Sequence, residues 1–211
     1  FKRLERFRDN IIVATTRRNI DRTIEYICIQ NKISCFVGDE NDVLSRYYNC
    51  ALYYGATDET LIVRITADCP MIDPDLLWDC VSALQEHQVD YVSNRIERTI
   101  PIGLDVEVFS FRALKLAQKN ARHPWEREHV TPYFYASEND LSLFSVTYPF
   151  SHQAYRICVD HWCDYRVVKN LYDELDNSFE YSYQELIRAI ENNPEIMQIN
   201  SKVKQKSYND H

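Results

Sequence analysis

The stretch RITADCPMIDP, residues 64–74, decides the fold because it reads as the end of a buried strand, an acid, and the start of a helix. The residues LIVRIT at 61–66 are typical of a strand inside a sheet. Asp73 and Pro74 are typical of an N-cap residue and of the first helical position. In α/β sheets, ligands lie beyond the carboxyl ends of the strands, so Asp68 is either a turn residue or part of a site.

Strand-like and helix-like segments alternate along the rest of the chain, which is typical of a sheet covered by helices. Apolar runs rich in β-branched residues predict strands at 11–16, 33–38, 61–66, 89–94, 104–109, 143–148 and 155–160. Capping signals at Asp73, Ser110 and the Ser182–Glu185 pair predict three helix starts, and an apolar stripe predicts a helix at 41–54. We expect the first three strands to be parallel, in an α/β fold whose doubly wound sheet has an inserted or antiparallel portion.

Length and composition exclude several classes of protein. We expect one domain over residues 1–200, with a full core, and a polar tail at 201–211. The net charge of −8 argues against a nucleic-acid partner, and no apolar run predicts a membrane span. The seven cysteines form no C-x-x-C pair, so they predict core thiols and a reducing, cytoplasmic location rather than zinc or disulfides. The three glycines form neither of the usual glycine-rich phosphate loops.

Two acids occupy equivalent positions at the ends of predicted strands. Asp68 follows the strand at 61–66, and Asp160 ends the strand at 155–160. If these strands are parallel neighbours, both carboxylates meet at one edge of the sheet. Two converging carboxylates with no lysine or arginine between them suit Mg²⁺. The alternative is that each acid only caps the helix that follows, which explains one such acid more easily than two.

Further candidates lie in the strand at 104–109 and in the stretch EREHVTPYFY at 126–135. Side chains along a strand alternate in direction, so if Leu104 faces the core, Asp105 and Glu107 lie on the opposite face. That face is either exposed to solvent or forms the wall of a pocket. The polar and basic stretch at 93–103 could close over a charged ligand. His129 alone is more often a structural residue than a functional one.

Six stretches, in this order, resemble the cytidylyltransferase family that makes CMP-activated acidic sugars: GDENDVLSRYY, RITADCPMIDP, DYVSN, GLDVEVFS, REHVTPY and RICVD. The likeness spans residues 11 to about 200 and is to the spore-coat-polysaccharide, SpsF-like type, with CMP-acylneuraminate and octulosonate cytidylyltransferases more distant. It implies a Rossmann-like nucleotidyltransferase fold of the nucleotide-diphospho-sugar transferase type, with a mixed, mostly parallel sheet flanked by helices. It also implies an enzyme that forms a CMP-sugar and pyrophosphate from CTP and a 2-keto sugar acid, for surface polysaccharide or glycan synthesis.

The resemblance also implies roles for individual residues and partners. Asp68 and Asp160 would be catalytic and would hold Mg²⁺, which lowers the pKa of the attacking hydroxyl. The nucleotide-binding residues would be Thr15, Thr16, Asp42 and Arg46. The substrate-binding residues would be Asn94, Asp105, Glu107, Glu128 and His129. The partners would be CTP and an acidic sugar, and a homodimer is one assembly the chain could form.

The chain departs from the family pattern in two places. After Asp160 it reads HWCD, where the family has a Thr-Pro-Glu-Asp-like turn, so only Asp164 is kept. The family's first strand and basic triphosphate loop do not occur within residues 1–211, and we expect both in a segment ahead of Phe1. Two alternatives stay open: a non-catalytic sugar-nucleotide-binding protein of the same fold, and a metal-dependent glycosyltransferase, which more typically carries an Asp-x-Asp at a strand end.

Overall fold

Strands and helices alternate over residues 1–204, the part of the chain that the computed structural model describes apart from the side chain of Ser137. Most of the predicted tail at 201–211 lies outside the described residues. The strands are β1 (Ile12–Thr16), β2 (Ser34–Gly38), β3 (Leu61–Arg64), β4 (Tyr91–Ser93), β5 (Glu107–Ser110) and β6 (Leu143–Ser145). The helices are α1 (Arg22–Asn31), α2 (Val43–Tyr53), α3 (Pro74–His87), α4 (Phe111–Asn120), α5 (Pro124–His129), α6 (Pro132–Tyr135), α7 (Trp162–Glu174), α8 (Tyr183–Asn192) and α9 (Pro194–Gln198). Short 3₁₀ segments occupy Lys2–Asn10, Asn19–Asp21 and Ser137–Asn139.

The strands form two hydrogen-bonded groups. β1 and β2 are parallel, with Thr16 opposite Gly38. The other four strands have the order β3-β5-β4-β6, in which β5 is antiparallel to both neighbours and β6 is parallel to β4. The mixed α/β architecture is therefore confirmed. The expected parallel arrangement of the first three strands holds for β1 and β2, whereas β3 pairs antiparallel with β5.

The strand predicted at 155–160 is wrong in extent. This segment makes one isolated parallel bridge, between Arg156 and Ile102, flanked by two backbone hydrogen bonds of 2.8 and 2.9 Å. The next residue, Gly103, has φ +109°, and a Cβ there would lie 2.5 Å from the amide nitrogen of Cys158. Because Gly103 leaves the extended conformation, the ladder stops after one pair.

Helices cover both faces of the four-stranded sheet because its side chains alternate in direction. Val92 and Val108 are fully buried in a cluster with the apolar residues of α3. Tyr91 and Phe109, their neighbours along the strands, are fully buried in a second cluster with α4 and α6. The sheet therefore lies between two helical layers, and a third apolar cluster joins α7 and α8.

The predicted capping signals are all confirmed. Asp73 accepts hydrogen bonds from two amides at the start of α3, at 2.8 and 3.1 Å. Ser110 caps α4 at 3.1 Å, and Ser182 and Glu185 form a reciprocal capping box at the start of α8. Within residues 1–204, no helix is both long enough and apolar enough to cross a bilayer.

Candidate active site

Asp68 and Asp160 are brought to one edge of the molecule by backbone pairing. Asp68 lies four residues after β3, and the segment that ends at Asp160 runs beside it. The amide of Val159 donates to the carbonyl oxygen of Asp68 at 2.8 Å. The side chain of Asp160 is 45% exposed, and Asp68 is half-buried, so both carboxylates are within reach of a ligand.

Two buried thiols lie among these acids. Burial raises the pKa of Cys158 to about 12; the charge of Arg156 opposes this rise, and the charges of Asp160 and Asp68 add to it. Burial also raises the pKa of Cys69, and the charge of Asp68 adds to that shift. Both thiols are therefore neutral near pH 7 and unsuited to thiolate chemistry. The prediction of core thiols is confirmed at these two positions.

Arg156 is a site residue that the sequence reasoning missed. Its guanidinium is buried and donates to Oδ2 of Asp160. The expectation that no lysine or arginine stands between the two acids is therefore wrong at Asp160. The signal was present in the sequence, because Arg156 lies four residues before Asp160 in the quoted stretch RICVD.

Asp164 anchors the turn that carries Asp160. It is fully buried, and its Oδ2 accepts from the amides of Asp160 and His161 at 3.1 and 2.9 Å. It also accepts from Arg156 at 3.2 and 3.3 Å and from the side-chain amide of Asn200 at 2.8 Å. Burial opposes ionisation of Asp164, but these hydrogen bonds outweigh it and hold the pKa of the carboxyl below its usual value.

The donor chemistry of Asp68 and Asp160 suits a magnesium ion. Within residues 1–204, the carboxylate of Asp68 accepts one weak hydrogen bond, from Cys69 Sγ at 3.5 Å, so its oxygens remain for a ligand. In the described part of the chain, no cluster of three or more histidine, cysteine or acidic side chains could hold a metal alone. Mg²⁺ is usually held by one or two carboxylates together with water and substrate phosphates, and Asp68 and Asp160 supply that number.

Glu107 is not on a solvated face, and that alternative is wrong. Glu107 is 2% exposed, because helices cover both sides of β5. Its carboxylate pairs with Arg64, accepts from the Tyr91 hydroxyl at 2.6 Å, and lies 3.7 Å from the Arg95 guanidinium. Burial opposes ionisation, but Arg64 and Arg95 outweigh it and lower the pKa of the carboxyl. The predicted pocket wall is therefore replaced by a buried ion pair.

Asn94 and Asp105 are also held by the protein itself. Asn94 is fully buried; its amide donates to the Leu104 carbonyl at 3.0 Å and accepts from the Val106 amide at 2.9 Å. The predicted substrate contact of Asn94 therefore conflicts with the structure, because both polar atoms already bridge two chain segments. Asp105 forms a bidentate pair with Arg98, at 2.5 and 3.0 Å, and remains partly exposed.

A cleft of about 660 Å³ gathers another set of the predicted residues at the carboxyl ends of β1 and β2. Thr16, Asp42, Arg46 and Glu128 line it, whereas Thr15 is buried, and neither it nor His129 is among the lining residues. Asp68 and Asp160 are also outside its lining, so the predicted residues fall into two groups. The cleft has the size of a small-molecule site.

Ion pairs organise the cleft, and Arg127 is the residue there that the sequence reasoning missed. Arg127 pairs with Asp42 at 2.6 Å, and Asp42 also caps α2 through the Ser45 amide at 2.9 Å. Arg46 donates to the carbonyl of Asp39 at 2.6 Å, and its buried Nε has no hydrogen-bond partner within residues 1–204. Three arginines face four acids in the lining, so the cleft suits a weakly charged group better than a triphosphate.

Known proteins resemble the whole of this architecture. The family model described as Cytidylyltransferase matches residues 2–196. An uncharacterized protein of Methanocaldococcus jannaschii is 38% identical over 205 residues, which span 95% of this chain and 80% of that protein. The spore coat polysaccharide biosynthesis protein SpsF of Bacillus subtilis is 29% identical over 194 residues, spanning 89% and 77%.

A solved structure agrees with these sequence relatives. The structure of a cytidylyltransferase from Leptospira borgpetersenii serovar Hardjo-bovis matches with a TM-score of 0.87 at 34% identity, covering 98% of this chain and 85% of that one. The matches support a cytidylyltransferase activity, which implies CTP and a sugar as substrates. The family model covers most of the chain, and the mixed sheet agrees with the solved relative, so the chain belongs to the cytidylyltransferase family.

Proposed function

We propose that this protein transfers CMP from CTP to a 2-keto sugar acid of the nonulosonic or octulosonic type, for the synthesis of a surface polysaccharide or glycan. The observation that carries the proposal is the pairing of Asp68 with the segment that ends at Asp160, at the edge of the sheet. The name of the Bacillus subtilis relative, a spore coat polysaccharide biosynthesis protein, supports the glycan pathway.

The proposed reaction forms one bond and breaks one. The anomeric hydroxyl oxygen of the sugar bonds to the α-phosphorus of CTP, the bond from that phosphorus to the bridging oxygen breaks, and pyrophosphate leaves. The hydroxyl proton passes to solvent. Mg²⁺ held by Asp68 and Asp160 would lower the pKa of the hydroxyl and offset phosphate charge. The remaining contribution of the chain is to orient the two substrates.

The cleft beside β1 and β2 is the proposed position of the cytosine and ribose. Its near-balanced charge suits these uncharged groups, and within residues 1–204 the Arg46 Nε is a donor without a hydrogen-bond partner. The Asp42 carboxylate and the Arg127 guanidinium form an ion pair, so we propose that these two residues fix the shape of the cleft wall.

The sugar is proposed to lie on the side of Asp105 and Asp160. Arg98 and Arg156 stand among the carboxylates there, so a sugar carboxylate would meet positive as well as negative charge. The acidic class of the sugar rests on this arrangement and on the sequence resemblance. The homodimer and the roles of Glu128 and His129 stay predictions.

The experiment is pyrophosphate release from CTP, with UTP as the nucleotide control, against a panel of sugar acids that includes N-acetylneuraminate and 3-deoxy-manno-octulosonate. We expect turnover with CTP, dependent on Mg²⁺. Asp68→Asn should lower kcat/KM by about 100-fold or more, because metal stabilisation of the transition state amounts to several kcal/mol. Asp75→Asn is the matched control, since that side chain is 76% exposed and its ion pair is with the exposed Arg6.

Asp160→Asn should cause a comparable loss, and the double variant should lose little more, because both acids serve one ion. Losses that multiply would mean separate roles for the two acids. Saturable binding of CTP without pyrophosphate release from any sugar would refute the enzyme and favour a sugar-nucleotide-binding protein of the same fold.

A further inference from the structure

An exposed aromatic pair stands directly after the site acid Asp160. Trp162, the first residue of α7, is 76% exposed, and Tyr165 is 45% exposed. Their rings are stacked, with centroids 5.0 Å apart and planes inclined by 21°. Aromatic side chains of this size normally bury most of their surface. The pair therefore leaves a preformed apolar surface without cover from the described part of the chain.

The position of this pair is fixed by Asp164. Because Asp164 holds the amides of Asp160 and His161, the backbone that enters Trp162 is tied to the buried ion-pair cluster. Residues three apart lie on one face of a helix, and helical side chains lean toward the N-terminal end. Trp162 and Tyr165 therefore stand at the end of α7 where Asp160 lies.

We infer that Trp162, backed by Tyr165, is a platform on which the ring of the sugar substrate stacks; this inference rests on the proposed function. One face of a pyranose presents C–H bonds, which pack against an aromatic ring and remove apolar surface from water. Asp160, two residues before Trp162, supplies a polar group beside this apolar surface. Trp162 lies in the stretch HWCD at 161–164, and Tyr165 follows that stretch directly.

The test uses Trp162→Ala, Trp162→Phe and the matched control Trp78→Ala. Trp78 is also an exposed tryptophan at 52%, stacked on Phe7, and it lies on α3 rather than α7. Trp162→Ala should raise the KM for the sugar acid about tenfold and change the KM for CTP less than twofold. Trp162→Phe should recover most of the loss, because it keeps a ring, and Trp78→Ala should leave both constants unchanged.

Tryptophan emission provides a measurement that needs no turnover. Titration with N-acetylneuraminate or 3-deoxy-manno-octulosonate should change the emission of the unmodified protein saturably, and Trp162→Ala should lose that response. Such a response without pyrophosphate release would support the platform while the proposed function fails. Pyrophosphate release with unchanged constants in Trp162→Ala would overturn the platform and leave the function standing. If Trp162→Ala changes the oligomeric state and leaves both KM values unchanged, the platform is also overturned, because the aromatic surface would then be an interface between copies of the chain.

Discussion

Replacing Asp164 by asparagine removes the buried charge that holds Arg156 and the turn at Asp160. Asparagine keeps the volume, but it turns two acceptor oxygens into one and places N–H groups against the donors of Arg156, Asn200 and the backbone. Breaking a buried ion pair destabilises a protein by about 3–5 kcal/mol. Because Arg156 keeps Asp160 as a partner, we expect the free energy of unfolding to fall by about 3 kcal/mol, the low end of that range. For a domain of this length, that lowers Tm by roughly 6–12 °C.

The assay is urea unfolding at pH 7, with calorimetry for Tm. Asp173→Asn is the matched control on the same helix, because Asp173 is 47% exposed and pairs with Lys169 at 2.6 Å; its effect should stay within about 0.5 kcal/mol. The lowered pKa of Asp164 means that its contribution is present above the usual value of 3.8 and is lost as the pH falls through the lower folded value. The difference between Asp164→Asn and the unmodified protein should therefore narrow in acid. Equal stability of the Asp164→Asn and Asp173→Asn variants at pH 7 would refute the reasoning.

Two further predictions concern stability. Gly103→Ala should lower the free energy of unfolding by about 2 kcal/mol or more, because φ is positive and the added Cβ would lie 2.5 Å from the Cys158 amide nitrogen. The control Gly55→Ala, with φ +79° and open space around it, should lower it by about 1 kcal/mol through backbone strain alone. Equal urea midpoints for the two variants would contradict the close approach. Glu107→Gln should lower the free energy of unfolding by about 3 kcal/mol, because it leaves the largely buried Arg64 guanidinium without its anion. Since the pKa of Glu107 is lowered, this loss should shrink as the pH falls below the usual value of 4.5. A loss that does not change with pH would contradict that pairing.

The sequence by itself determined the features that depend on short-range rules. Asp73 and Ser110 cap the predicted helices because a cap needs only an acceptor two or three residues before a free amide. Val108 and Phe109 lie on opposite faces of the sheet because strand side chains alternate. The family followed from motifs in chain order. The approach of Asp68 to the segment of Asp160 was predicted from parallel neighbouring strands, whereas in the structure β3 pairs with β5 and that segment bridges to Ile102.

Only the tertiary structure decided which charges meet. Arg127 pairs with Asp42 across 85 residues, and Asn200 reaches Asp164 across 36. Glu107 occupies a strand position that alternation left open to solvent, and it is buried because α4 and α6 cover that face. Periodicity tells which side of an element is polar, but the partner of a long charged side chain is set by segments distant in the chain. For that reason the pairing of Arg127 with Asp42, and with it the electrostatics of the cleft, was decided by the fold.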